Sequence, residues 1–140
     1  MTDWSFQLYS ARNHPPLSNT LQLLAELGYT QVEGFGGLYD QATSLRQDLD
    51  RHGLTMPTGH FGLAMLEDPD QALPIIKILG VKTVICPHLA AEQRPSDVAG
   101  WKQMAETLNE VGKPYQAAGL GFGWHNHDFE FIALENGQTP

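Results

Sequence analysis

Glu26-Leu27-Gly28-Tyr29-Thr30-Gln31-Val32 runs from an amphipathic stretch through a glycine into a short apolar segment, and the chain makes the same passage three more times. The other glycines are Gly53 in Arg51-His52-Gly53-Leu54-Thr55-Met56, Gly80 in Ile78-Leu79-Gly80-Val81-Lys82-Thr83-Val84, and Gly119 in Ala117-Ala118-Gly119-Leu120-Gly121-Phe122. Each suits the left-handed position that closes a helix, where a side chain is penalised. The repeated unit is therefore helix, cap, strand.

Before the glycines, apolar residues recur at helical spacing. Leu17, Leu21, Leu24 and Leu27 share one face, as do Ala42, Leu45 and Leu49, and then Ala72, Ile75, Ile76 and Leu79. The longest run, Val98, Trp101, Ala105, Leu108, Val111 and Tyr115, predicts a helix capped by Ser96, with Pro114 expected to kink or split its end. Strands are expected around Ser5–Tyr9, Gln31–Phe35, Thr55–His60, Thr83–Pro87 and Leu120–His125.

Strand and helix alternate, which predicts a parallel sheet with right-handed crossovers. A doubly wound sheet would carry a glycine-rich phosphate loop after its first strand, but that loop reads Ser10-Ala11-Arg12-Asn13-His14-Pro15-Pro16. Polar strand ends favour the other architecture. Glu33 lies in strand two, His60 ends strand three, His88 follows strand four and His125 ends strand five, all toward the face where barrels build their sites. The expectation is an α/β fold of the (β/α)8 TIM-barrel type, with about five βα units and residues 1–140 as one partial barrel domain.

The densest chemistry is Trp124-His125-Asn126-His127-Asp128-Phe129-Glu130-Phe131. Imidazole and carboxylate together suit divalent metals, and either can take a proton near neutral pH. Alternation along strand five puts Gly121, Gly123, His125 and His127 on one side, toward the lumen, and Phe122 and Trp124 on the other. Asp128 is a candidate partner that orients a histidine. Glu33 is costly inside a strand unless paired or used. His60 and His88 are candidate pocket residues, and Tyr9 and Trp124 offer aromatic faces on which a sugar could stack.

Composition narrows the classes. Eight Lys+Arg against 16 Asp+Glu give a formal charge of -8 with no basic cluster, which disfavours nucleic acid as a partner. No long uninterrupted apolar run and no signal-like N-terminus are present, so a cytoplasmic, non-membrane protein is expected. The single cysteine, Cys86, excludes an intrachain disulfide and reads as a small buried hydrophobe.

These residues resemble the xylose isomerase-like TIM-barrel superfamily of sugar and sugar-phosphate isomerases and epimerases. The resemblance runs through Phe6-Gln7-Leu8-Tyr9-Ser10, Leu24-Ala25-Glu26-Leu27-Gly28-Tyr29, Val32-Glu33-Gly34-Phe35, the Gly59-His60 strand end and, above all, Trp124-His125-Asn126-His127-Asp128-Phe129-Glu130-Phe131. It implies a divalent metal (Mn, Mg, Co or Zn) held by ligands from strands five to eight, and proton transfer next to a sugar carbonyl through an enediolate. On this basis His125, His127 and Glu130 are the expected metal ligands. Glu130, His127 and Glu33 are the expected catalytic groups, with His60, His88, Tyr9, Trp124 and Asp128 contacting a sugar or sugar derivative.

Two departures qualify the resemblance. The strand-five glutamate of many relatives is replaced by the His125/His127 region, with Glu130 several residues later, and strands six to eight, with their ligands, are not among the 140 residues. A fragment of a longer enzyme is therefore the expected origin, with little activity in isolation, and the open sheet edges invite pairing with a second copy. The rival expectations are a metal-dependent dehydratase of keto-inositols or keto-sugars, and a non-catalytic half-barrel that dimerises and binds metal or a small ligand.

Overall fold

The computed structural model describes residues 3–140. Five strands form one sheet, β1 (Ser5–Gln7), β2 (Gln31–Phe35), β3 (Thr55–His60), β4 (Thr83–Cys86) and β5 (Gly121–Trp124). They lie side by side in sequence order, and every neighbouring pair is parallel. A doubly wound sheet would reverse its order part-way, whereas consecutive parallel strands with crossovers of one hand put every helix on one face, as in a barrel wall. The helices are α1 (Leu17–Glu26), α2 (Ala42–Arg51), α3 (Leu63–Leu66), α4 (Pro69–Leu79) and α5 (Val98–Ala117).

All four glycines of the repeat have positive φ, from 65° at Gly53 to 86° at Gly28. At Gly80 the amide donates to Ile76 O at 3.0 Å, so the turn satisfies a carbonyl that the end of α4 would otherwise leave open. Three local expectations are corrected. Asp97 rather than Ser96 caps α5, its Oδ1 accepting the Gly100 amide at 2.7 Å. Pro114 does not divide that helix, because it sits in the last turns and removes a single backbone donor. Leu27, expected on the buried face of α1, is 66% exposed because the helix ends at Glu26 and the chain turns away before it can pack.

The core lies between the helices and one face of the sheet. Val32, Met56, Val84 and Cys86 point from the strands into a cluster with Leu21, Leu24, Leu45, Leu49, Ile76, Leu79 and Tyr115. Two glycines in the strands make room for one large ring. A Cβ at Gly59 would stand 2.7 Å from the Tyr39 hydroxyl, and one at Gly34 would stand 3.1 Å from it. Tyr39 fills that space, stacked on Phe61 at 4.4 Å. On the other face, Gln7, Glu33, Thr58, Thr83 and Ile85 are only half-buried. That face is the inner wall expected of a barrel, and its strand ends point toward the site.

Candidate functional site

The C-terminal ends of the strands open into a cavity of about 510 Å³ lined by Gln7, Tyr9, Phe35, Gly36, His60 and Gly62 on one side and by Pro87, His88, His125 and His127 on the other. Its floor is a polar triad. The register pairs Phe35 with His60 and Glu33 with Thr58, so Glu33 and His60 fall on the same side of adjacent strands. His60 Nε2 lies 3.0 Å from Glu33 Oε1, and Gln7 Nε2 lies 3.2 Å from His60 Nδ1. If the Gln7 amide donates to Nδ1, the ring carries its proton on Nε2, facing the carboxylate. That N–H is not aimed straight at the oxygen, so the short approach is chiefly electrostatic, and His60 Nε2 has no regular hydrogen bond. The His60 contact outweighs the opposing effect of burial and holds the Glu33 carboxyl below its usual range.

From His60 the imidazoles run in a row across the cavity. Ring centroids are 4.8 Å apart for His60 and His125, 5.0 Å for His125 and His127, and 5.1 Å for His127 and His88. The row follows from the strand order: His60 ends β3, Pro87 turns His88 over the end of β4, and the His125 amide extends the β5 ladder by donating to Cys86 O at 3.1 Å. Partial burial, followed by the neighbouring His60 and His127 rings, lowers the pKa of His125, although its outer edge is exposed. The lowered pKa favours the neutral ring, which can accept a proton. Among the described residues His127 Nδ1 is buried without a partner.

Several expected site residues stand elsewhere. Glu130 is 8% exposed and turned away from the imidazole row. Its Oε1 accepts Trp124 Nε1 at 3.0 Å and its Oε2 accepts the His127 amide at 2.7 Å. The cause is local. The strand ends at Trp124, and a 3-10 turn at Phe129–Phe131 carries the carboxylate back over the indole. Trp124 packs toward α5 with Phe122, so it gives the cavity no stacking face. Asp128 is exposed and absent from the cavity wall, its side chain making no cap bond to the turn it precedes. Tyr9 does line the cavity, edge-on to Phe35 at 5.3 Å.

The sequence reading also missed residues. Gln7 holds His60, Phe35 supplies an apolar wall, and Arg94 approaches His88 Nε2 at 2.9 Å. Gln7 carries the same sequence signal as His60, a polar side chain at a strand end, but it is not ionisable. Among the described residues no three His, Cys, Asp or Glu side chains converge to hold a metal ion. His125 and His127 share a wall, Glu130 is occupied elsewhere, and the chain by itself does not assemble the expected centre.

Five consecutive parallel βα units with a polar cavity at the strand C-termini define part of a TIM barrel. Solved structures with the same fold are xylose isomerase-like TIM-barrel proteins. An AP endonuclease of family 2 from Brucella melitensis superposes with a TM-score of 0.69 at 17% identity, over 89% of this chain and 55% of its own. The IolI protein, described with a bound zinc atom, gives 0.67 at 17% identity, over 88% and 51%. A xylose isomerase domain containing protein from Salmonella typhimurium LT2 gives 0.66 at 11% identity, over 96% and 54%. The chain thus spans about half the length of these structures, and at such identities the likeness is one of fold. No protein-family model matches the chain, and no curated protein matches it.

Proposed function

We propose that the chain forms the substrate-binding wall of a sugar or sugar-derivative isomerase or epimerase that moves a proton next to a carbonyl. The observation that carries this reading is that Gln7 and His60, the latter held against Glu33, open together with His125 on one cavity at the strand C-termini. Tyr9 and Phe35 provide an apolar wall for the carbon face of a sugar, and Gln7, His60 and His88 provide polar edges for its hydroxyls. His125 takes the proton from the carbon beside the carbonyl. The C–H electron pair becomes the carbon–carbon double bond of an enediolate, and the carbonyl oxygen takes the negative charge. Return of the proton to the neighbouring carbon, with a proton passing between the oxygens, isomerises the sugar; return from the opposite face to the original carbon epimerises it.

The charge on the oxygen needs an electropositive partner. A divalent metal would serve, as the resemblance implies, but its ligands would have to include groups beyond those the described residues bring together. The steps above therefore rest on this chain's own side chains. Coverage of the β1 and β5 edges by a second copy belongs to the same proposal, and light scattering tests it: a stable dimer supports pairing, and a monomer at high concentration removes it.

The activity test is solvent exchange, a half-reaction less demanding than turnover. Incubation of a panel of aldoses and ketoses in deuterium oxide with the chain should give slow loss of the proton next to the carbonyl by NMR, above the buffer background. His125→Gln should abolish it. Because burial and the neighbouring rings lower the pKa of His125, exchange should persist to lower pH than an ordinary imidazole base would allow. An unsaturated, ultraviolet-absorbing product from a keto-inositol would assign a dehydratase instead. No exchange on any panel member, with or without added Mn or Zn, would sink the isomerase reading.

A further inference from the structure

We infer that Arg94 forms an oxyanion subsite at the rim of the cavity, so that the substrate carries a phosphate or carboxylate group. This deepens the proposed function by naming the substrate class. It stands on where the cations of an acidic chain lie. Of the eight Lys and Arg residues, Arg46, Arg51, Lys77, Lys82, Lys102 and Lys113 belong to helices or to the connection entering β4. Only Arg12 and Arg94 follow strands, in the loops after β1 and β4, on the face that bears the cavity. Arg46, Arg51 and Lys113 are paired with carboxylates on their own helices. Arg94 is half-buried, and among the described residues it has no carboxylate within ion-pair distance although acidic groups outnumber basic ones two to one.

Its guanidinium is held in place. The plane lies over the Phe129 ring, 3.8 Å from the centroid, and Phe129 in turn stacks on His127 at 9° between planes. Nε donates to Leu89 O at 3.0 Å, and Nη2 reaches His88 Nε2 at 2.9 Å. Arginine has no acceptor atom, so this last contact requires His88 Nε2 to accept and leaves its proton on Nδ1. Two of the five guanidinium donors are thereby spent, and the others have no protein acceptor among the described residues. A cation braced by stacking on Phe129, with unspent fork donors, matches the planar recognition of a carboxylate or phosphate. His88, which both lines the cavity and touches Arg94, connects this subsite to the cavity that Gln7 and His60 also line.

Three probes separate the cases: D-glucose 6-phosphate, D-glucuronate and D-glucose. Each is titrated into the nitrogen-15-labelled full chain while the Arg94 Nε–H and the His88 and His127 ring nitrogens are followed by NMR. At least one charged sugar should shift all three residues and bind about tenfold or more tighter than glucose, as expected for a charge-assisted contact. The tighter of the two names phosphate or carboxylate. Arg94→Met keeps the packing over Phe129 and should lose that preference, Arg94→Lys should retain part of it, and Lys102→Met should leave it unchanged. The proposal is overturned if glucose binds as tightly as the charged sugars, if no charged sugar moves these signals at millimolar concentration, or if Arg94→Met with native circular dichroism binds them like the parent. Charged sugars bound at Arg94 without proton exchange would uphold the subsite and remove the isomerase. Exchange on neutral sugars with no preference for charge would do the reverse.

Discussion

Replacing Glu130 separates its structural role from the metal-ligand role that the sequence resemblance implies for it. In the structure the carboxylate accepts the Trp124 indole N–H at 3.0 Å and the His127 amide at 2.7 Å, and it is 8% exposed. Glu130→Ala would leave two donors facing a site that water reaches poorly. Hydrogen bonds to charged groups contribute about 1.5–3 kcal/mol each, and because Trp124 is only half-buried water would recover part of the loss, so a destabilisation of about 2–4 kcal/mol is expected. Glu130→Gln preserves one oxygen for the indole but turns an amide N–H toward the His127 N–H, for a cost of about 1.5–3 kcal/mol. Urea unfolding followed by far-ultraviolet circular dichroism measures both. A double-mutant cycle with Trp124→Phe should show coupling of about 1 kcal/mol or more. Zinc and manganese titration by calorimetry runs in parallel. If Glu130→Gln unfolded within about 0.5 kcal/mol of the parent, the range of an uninvolved surface change, while metal affinity fell, Glu130 would be a ligand and the structural argument would be wrong.

Gly59→Ala should destabilise the fold by about 1–3 kcal/mol, since the new methyl would meet the Tyr39 hydroxyl at 2.7 Å and the Phe61 ring at 3.0 Å inside a packed layer; Tyr39→Phe in the same background should recover part of the loss in a urea melt. Cys86 should resist thiol reagents in the native state and react on unfolding, because burial pushes its thiol up to about 11; rapid native labelling would contradict its packing. The folded-state pKa of Glu33 is lowered from 4.5, chiefly by His60, so its ionised form contributes stability above the unfolded value that is lost as pH falls through the folded one. Glu33→Gln should therefore flatten the decline of the urea midpoint below about pH 4.5, and an unchanged acid limb would mean that the His60 contact contributes nothing.

The repeat was legible because its determinants are local. A helix that ends on a left-handed residue selects glycine wherever it occurs, and all four glycines have the positive φ that the pattern requires. The alternation of β5 was equally local: Phe122 and Trp124 face the helices as their spacing dictates. The site was read less well where the strand period stops. Strand alternation puts His125 and His127 on one side but does not bring Glu130 to them; the ladder ends at Trp124 and the turn at Phe129–Phe131 carries Glu130 back to the indole. Arg94 was invisible for another reason. Its partners, His88 and the ring of Phe129, come from two loops whose meeting depends on the order of β4 and β5 in the sheet.

The two faces of the sheet divide stability from chemistry. The apolar side chains of the strands point to the helices, so the five units carry a core that does not depend on closing a barrel. A closed barrel interior is filled with layers of bulky branched residues, but this inner face presents Gln7, Glu33, Thr58, Thr83, Gly121 and Gly123, with Ile85 among them. Gly121 is required there because a Cβ would stand 2.7 Å from Thr83 Oγ1, whereas a Cβ at Gly123 would meet nothing within 4 Å. The upper part of the wall is therefore open space rather than packed layer. His60 is the exception on this face, 6% exposed and held between Gln7 and Glu33. Desolvating an imidazole beside a carboxylate costs free energy that packing alone would not require, and the return for that cost is a fixed ring at the floor of the cavity, in contact with His125. Functional constraint on the inner face should accordingly concentrate in the triad and the histidine row, and constraint on the outer face in the glycines and apolar residues around Tyr39.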